Sequence, residues 1–445
     1  MTRQSYYAWL ILLFFAPVCA ADKPLVVEVP TESSRVPVYL SKIKISDSQL
    51  TKDYAEQLDE LLRYDLTVGG KAQVVRQKPE WEKLAQGKID MEKWQQSPFH
   101  FAIIPQIKGD HLIAQALFLD AAQAKQTEPL TLSGDISHDR RQIHRLHDTL
   151  SRQLFAVDGV ATTRILYTVK TTGKELAEVW ECDYDGANPR QVTHDYSYAV
   201  TPTYIPGKAG SLPSNFLYVS YRHGQPKIFL SSLKTGQSKP LTALKGNQLM
   251  PAISRQRDQI AYICDITGSP DLFLQHFDPQ AGAYGKPRQI YAAQHSTQSC
   301  PTFSPDGKHI AFVSDKSSAP RIYIMPIPEE GAGVKDLHTK EISKRARNGT
   351  APAWSPDGSK IAFCAQTQGV RQIWIYDLLR DTDWQLTNGP SHKENPTWAP
   401  DNFHLAYNTA DTNKGELMII DLSNRTPTKI TSGPNEKWYP SWEPR

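Results

Sequence analysis

The stretch that decides the fold is APAWSPDG, residues 351–358. CPTFSPDG at 300–307 repeats it closely and NPTWAPDN at 395–402 more loosely. Ser-Pro-Asp-Gly suits a type I turn, because proline presets φ at the second position and glycine accepts a positive φ at the end. Asp306 and Asp357 therefore read as turn residues rather than as acids. Aligning on the proline that opens the motif gives anchors at Pro202, Pro251, Pro301, Pro352, Pro396 and Pro440, spaced by 49, 50, 51, 44 and 44 residues. A self-similar period of this length marks a solenoid or a propeller.

One period, residues 351–387, holds an anchor strand, the turn, IAF at 361–363, a second turn, the alternating IWIYDL at 373–378 and a short WQLT. Four short strands per unit make a propeller blade. The residue two places after each anchor proline is Tyr204, Ile253, Phe303, Trp354, Trp398 or Trp442. These are expected to wedge between neighbouring blades rather than to form a ligand cage. A tryptophan burying ~200 Å² contributes up to ~5 kcal/mol of gross apolar burial before entropy is charged against it.

The two ends of the repeat complement each other. RILYTV at 164–169 opens a unit of three strands with no anchor, while YPSWEP at 439–444 is an anchor with no strands after it. If the C-terminal strand completes the first unit, six blades averaging 47 residues close into a ring between 164 and 445, and closure hides two edges that would otherwise invite aggregation.

Residues 22 to about 158 lack the repeat. VPVYLSKIKI at 36–45 reads as a strand, and Leu50, Tyr54, Leu58 and Leu61 recur at helical spacing before Gly69 and Gly70. Ile143, Leu146, Leu150 and Leu154 form one face of a second helix. His144 and His147 lie three apart on that helix, a spacing metal sites use, but no third ligand is evident, and the pair is read as a solvated polar face. The predicted organisation is a signal peptide at 1–20, a small α/β domain with an N-terminal arm at 21–158, and an all-β six-bladed propeller at 159–445 closed by the C-terminal strand.

Arg3 precedes an apolar run from Ala8 to Phe15, followed by small residues around Ala20. The run is too short to span a bilayer and has the proportions of a secretory signal. Val18 stands where a lipoprotein signal would want a small residue before Cys19, so a soluble exported protein is expected, with no membrane insertion after cleavage. Four cysteines would remain, Cys182, Cys264, Cys300 and Cys364, without any C-x-x-C. Zinc-finger spacing is thus absent, and disulfides and buried thiols both stay open. A formal charge of +3 with no long Lys/Arg run argues against nucleic acid as a partner.

An exported α/β segment followed by blades carrying P-x-W-S-P-D-G-x-x-I-A-F resembles the TolB family, periplasmic components of the Tol-Pal envelope system. The motif is strong around Phe303 and Trp354, moderate in the sixth blade, and weak in the second and third, where the S-P-D-G turn is lost. The resemblance implies a scaffold without catalytic, cofactor or metal residues, acting in outer-membrane integrity, envelope constriction during division and protein transport. It implies binding of a peptidoglycan-associated lipoprotein, Pal, at the propeller mouth, with other outer-membrane proteins as further partners. It also implies contact with the inner-membrane protein TolA through residues 22–34, where Asp22, Lys23, Leu25 and Val27 are the candidate contacts. VEVPTESSRVPVYL at 27–40 follows the family pattern only loosely.

Connectivity says which propeller face would bind. The S-P-D-G turns lie at one end of the anchor strands, the turn face; the segments leading into the anchors lie at the other, the leading face. Asn247, Gln248, Gln298, Thr350, Glu394, Asn395 and Trp438 ring the leading face. Arg222, His223 and Gln368 stand on the adjoining turns. Such loops on a rigid frame are where binding residues concentrate.

Other functions are weighed against this one. A prolyl-peptidase-like hydrolase would need a G-x-S-x-G elbow, and the sequence has none. A propeller lactonase or glycosidase would need acids converging on the channel; Glu394 and Glu436 lie near anchors, but sequence does not bring them together. Asn348-Gly-Thr and Asn424-Arg-Thr match the glycosylation pattern of an extracellular interaction module.

Overall fold

The computed structural model describes residues 35–331, 338–411 and 414–445. The stretches predicted as signal peptide and arm, with Asp22, Lys23, Leu25 and Val27, lie outside the described residues.

The N-terminal part is a seven-stranded mixed sheet whose main order is Ala72–Val75, Val36–Leu40, Phe101–Lys108, His111–Phe118 and Gln123–Gln126. Two helices, Lys52–Val68 and Ile136–Phe155, cover one face and bury Leu58, Leu62, Ile143, Leu146 and Leu150 against it. The first begins where the Thr51 side chain accepts a hydrogen bond from the Tyr54 amide, and the second ends where Ala156 turns left-handed at φ 55°. The short helices Pro79–Gln86 and Met91–Gln95 cover the other face around Tyr39, Trp94 and Phe99.

Six four-stranded antiparallel sheets follow. In five of them four consecutive strands form the blade, with the anchor strand first in the order. Blade 1 joins Arg164–Lys170, Ala177–Asp183 and Arg190–Gln191 to the C-terminal strand Glu436–Trp442. Trp442 stands opposite Ile165 and Ser441 opposite Leu166 in antiparallel register, so the ring is closed as the repeat predicts. Gly307 and Gly358 have φ of 70° and 78°, and Asp306 and Asp357 each accept from their own turn, from the Lys308 and Ser359 amides. Their role is structural.

The inner rim has a regularity that the motif does not announce. The residue before every anchor proline is left-handed: Thr201, Met250, Cys300, Ala351, Asn395 and Tyr439 have φ between 48° and 53°. Each coincides with a register shift between the anchor strand and its neighbour, which makes it a β-bulge. Neighbouring blades are then tied across the seams. The Thr302, Thr397 and Ser441 hydroxyls accept from the Trp354, Trp442 and Tyr204 amides of the next blade at 3.4, 3.2 and 3.3 Å. Thr203 donates to the Pro251 carbonyl at 3.3 Å, and where alanine replaces the hydroxyl at 353 the Trp398 indole donates to its carbonyl at 3.0 Å. Tyr204, Phe303, Trp398 and Trp442 are buried wedges; Ile253 and Trp354 are partly exposed at the channel mouth.

The α/β layer rests on the turn face of blades 6 and 1. Arg35 pairs with Asp421 at 3.3 Å, the Lys71 ammonium lies 3.8 Å from the Phe403 ring centre, and the Tyr184 hydroxyl donates to Asp65 at 2.6 Å. His404, 2% exposed, is held between the Asp401 carboxylate at 2.6 Å and the Val68 carbonyl at 2.8 Å. Both nitrogens face acceptors, which only the imidazolium can satisfy. Burial opposes that charge, but Asp401 and the carbonyl outweigh it and hold the group above the ordinary histidine value. The stabilisation is therefore complete below about pH 6.5 and is lost as pH rises through the raised folded value. Melting curves taken from pH 6 to 9 are expected to fall by about 2–4 °C on the alkaline side, with His404→Gln flattening the slope. A slope unchanged in the variant would reject the contact as its source.

His144 and His147 are a correction. They are 2% and 3% exposed, not a solvated face, because the helix carrying them is covered on its polar side by Asp65 and by blade 1. His144 Nδ1 meets Asp65 at 2.8 Å, and His147 packs beside Asp148 and Ser151. The four cysteines among the described residues are free thiols, three buried and Cys300 partly so.

Candidate protein-binding face

With the α/β layer on the turn face, the leading face is the propeller end it leaves uncovered. The sequence-predicted residues there divide into three groups. Gln248 and Gln298 are corrections, at 0% and 1% exposure. Their position before the anchor turns the amides inward: Gln248 Nε2 donates to the Leu244 carbonyl at 2.7 Å, and Gln298 lies against Ser296 and Ser314. They brace their loops from within.

Arg222, Asn247 and Glu394 are at the face but committed to their own frame. Arg222 donates to Asp195 and Ser238 at 3.0 Å and stacks 3.9 Å from the Phe229 ring centre. Asn247 donates to Asp265 through both its amide and its side chain at 2.7 Å. Glu394 pairs with Arg371, and Asn395 donates to Asn408 at 2.9 Å. Thr350 is half-buried, opposite Cys364. His223 and Gln368 are exposed, and Trp438 is half-exposed.

On the leading face of blades 1 to 3 the structure carries residues that the sequence reading passed over. Tyr196 is 84% and Tyr221 37% exposed, and Ile266 on the next blade is 43% exposed. Tyr198 meets Tyr221 edge-on at 6.2 Å between ring centres, and Trp438 meets Tyr439 at 6.4 Å. The Lys170 ammonium lies 5.3 Å from the Trp438 ring centre. This aromatic sector spans blades 1 and 2. The signal was present as DYSY at 195–198 and SYRH at 220–223, but only the ring places these segments beside residue 438. Large, rigid aromatics with polar tips are what protein interfaces use as anchors.

The channel opens at the turn face into a cavity of about 330 Å³ lined by the six anchor prolines and the wedge residues. Arg255 and Arg445 are its charged side chains, and no carboxylate side chain or histidine lines it among the described residues. Arg255 is itself spent on the Pro356 carbonyl at 3.0 Å and the main-chain oxygen of Arg445 at 3.1 Å. Glu394 and Glu436 belong to the leading ends of their strands, away from this cavity. No helix among the described residues is long and apolar enough to cross a membrane.

Comparison with known proteins agrees with this architecture. Residues 152–445 match the family described as the TolB beta propeller domain. A TolB homolog of Protochlamydia amoebophila is 48% identical over 392 residues, covering 86% of this chain and 83% of that protein. A TolB homolog of Chlamydia caviae is 36% identical, covering 86% and 85%. The crystal structure of TolB from Acinetobacter baumannii superimposes with a TM-score of 0.74 over 93% of this chain and 98% of that one, at 21% identity, a likeness of fold. The repeat, the closed six-bladed ring and these matches together make the chain a member of the TolB family.

Proposed function

We propose that the chain is a non-enzymatic scaffold of the bacterial envelope, exported to the periplasm, with the chain dividing near residue 158 into an α/β domain and a propeller. Its leading face holds a peptidoglycan-associated lipoprotein of the Pal type. Residues 22–34 reach an inner-membrane partner of the TolA type. The pair of contacts serves outer-membrane integrity and constriction at division. The observation that supports this reading most is the aromatic sector of Trp438, Tyr198 and Tyr221 on the face that the α/β layer leaves open. Family membership supports the choice of partners. Among the described residues, the lining of the proline-lined cavity carries arginine as its charged side chains, whereas a glycosidase site is built on paired carboxylates.

The test is recovery of a lipid-anchored, peptidoglycan-associated protein by cross-linking in the native envelope, followed by titration of that protein with variants. Trp438→Ala or Tyr221→Ala is expected to weaken it by about 2 kcal/mol, some thirtyfold, as for a central interface aromatic. Gln248→Ala is expected to act through loop stability instead. Recovery of no such lipoprotein, or unchanged affinity in both aromatic variants, rejects the assignment. Deletion of residues 22–34 should leave the lipoprotein contact intact and weaken the inner-membrane one.

A further inference from the structure

The joint between the α/β layer and blade 1 contains a buried histidine nitrogen with nothing to bond. His144 Nδ1 is engaged by Asp65 at 2.8 Å, and Asp65 is in turn fixed by the Tyr184 hydroxyl at 2.6 Å. This fixes the ring and leaves Nε2 pointing across the joint. Nε2 has no hydrogen-bond partner, and the residue is 2% exposed. Its nearest acidic neighbour is Asp185 Oδ2 at 3.7 Å, too far for a hydrogen bond. Asp183 belongs to the same blade 1 hairpin, and one donor atom from each of His144, Asp183 and Asp185 lies within 4.8 Å of the others.

With Nδ1–H given to Asp65, the Nε2 lone pair faces carboxylate oxygen, a repulsive approach that the Arg140 guanidinium on Asp185 Oδ2 offsets in part and that a cation between the two atoms would turn into attraction. Two ligands bound to one ion at about 2.0–2.2 Å stand roughly 3–4 Å apart; His144 Nε2 and Asp185 Oδ2 are at that separation, 3.7 Å, and Asp183 completes the trio within 4.8 Å. A carboxylate behind a ligand histidine is the usual means of orienting it toward a metal. The surrounding contacts leave these donor atoms usable. Arg140 pairs with Asp185 Oδ2, and the Ala187 amide takes Asp185 Oδ1. Asn188 donates to Asp183 Oδ2 at 2.7 Å, and Arg164 stands 3.8 Å from Asp183 Oδ1. Each carboxylate oxygen keeps a second lone pair.

We infer that His144, Asp183 and Asp185 form a binding site for a borderline divalent cation of the zinc(II) type, clipping the α/β layer to blade 1. One nitrogen and two oxygens suit zinc better than calcium or magnesium, which prefer oxygen alone. The remaining coordination positions are left to water. Proton and metal compete for Nε2, so a protonated imidazolium bridging Asp65 and Asp185 is the rival occupant.

The test titrates the full chain, stripped by chelator and dialysed, with Zn²⁺ at pH 7.5, and repeats it with Co²⁺ to read the visible bands of a low-coordinate site. The expected result is one equivalent bound per chain, unaffected by millimolar Mg²⁺ or Ca²⁺ and weakened at least tenfold by His144→Gln and by Asp183→Asn. Melting temperature should rise with Zn²⁺ in the wild type and stay level in both variants. Asp183 is only partly buried, so Asp183→Asn decides the matter if His144→Gln does not fold. Absence of stoichiometric Zn²⁺ binding, with His144 titrating as an imidazolium by NMR, overturns the site. So does affinity that both folded variants retain in full.

Discussion

Trp442→Ala is expected to destabilise the propeller by about 3–5 kcal/mol, the range for truncating a buried tryptophan. Trp442 is 4% exposed and packs with Ile165, Tyr167, Ala406 and Leu417, residues of blades 1 and 6. Its indole also donates to the Thr163 hydroxyl at 2.8 Å, so truncation leaves both a cavity and a buried hydroxyl short of a partner. The strand that carries it is the only one in blade 1 supplied from the far end of the chain. Loss of packing there should therefore appear first as faster hydrogen exchange in Arg164–Lys170, ahead of the global transition. Denaturant titration gives the total. Trp354→Ala, at the partly exposed wedge, is the comparison and should cost distinctly less. Equal losses in the two variants would mean that closure carries no special weight.

Gly186→Ala is the second large effect. Gly186 sits in the blade 1 hairpin at φ 84°, and an added Cβ would lie 1.6 Å from the Ile430 carbonyl oxygen of blade 6. That obstacle is backbone just past the outer strand Thr428–Lys429, fixed by the Ile430 amide's bond to the Leu417 carbonyl at 3.0 Å, so the hairpin must move. Positive φ alone costs an alanine about 1 kcal/mol, and forced overpacking adds about 1–3 more. Gly173 provides the control, at φ 75° with nothing near its Cβ position. Gly173→Ala should therefore show the conformational cost alone, and the difference between the two variants measures the seam. Indistinguishable midpoints would contradict the close approach.

The ring was readable from sequence because its determinants are local: a proline, a wedge and a turn recur at a fixed period, and the mismatch between the two ends predicts the shared blade. The helix faces were equally readable at Leu58 and Leu146. What failed depends on distant partners. Gln248 and Gln298 look like loop polars until the fold of their own loops, not their spacing, shows their amides turned inward onto Leu244, Ser296 and Ser314. His144 looks solvent-facing until Asp185, some forty residues later, is folded over it. The aromatic sector was missed for the same reason, since Tyr221 and Trp438 are separated by most of the propeller. The left-handed residues before the prolines run against the preference for extended geometry at that position, so nothing in local propensity reveals them.

The seam bonds from Thr302, Thr397, Ser441 and Thr203 to the following blade all run the same way round the inner rim. They clasp four of the six seams, so those sectors resist spreading and the bore is held against change at its mouth. An incoming partner must then bring its own shape to a fixed socket, and the entropy that a pliant receptor would lose on docking has already been lost in folding.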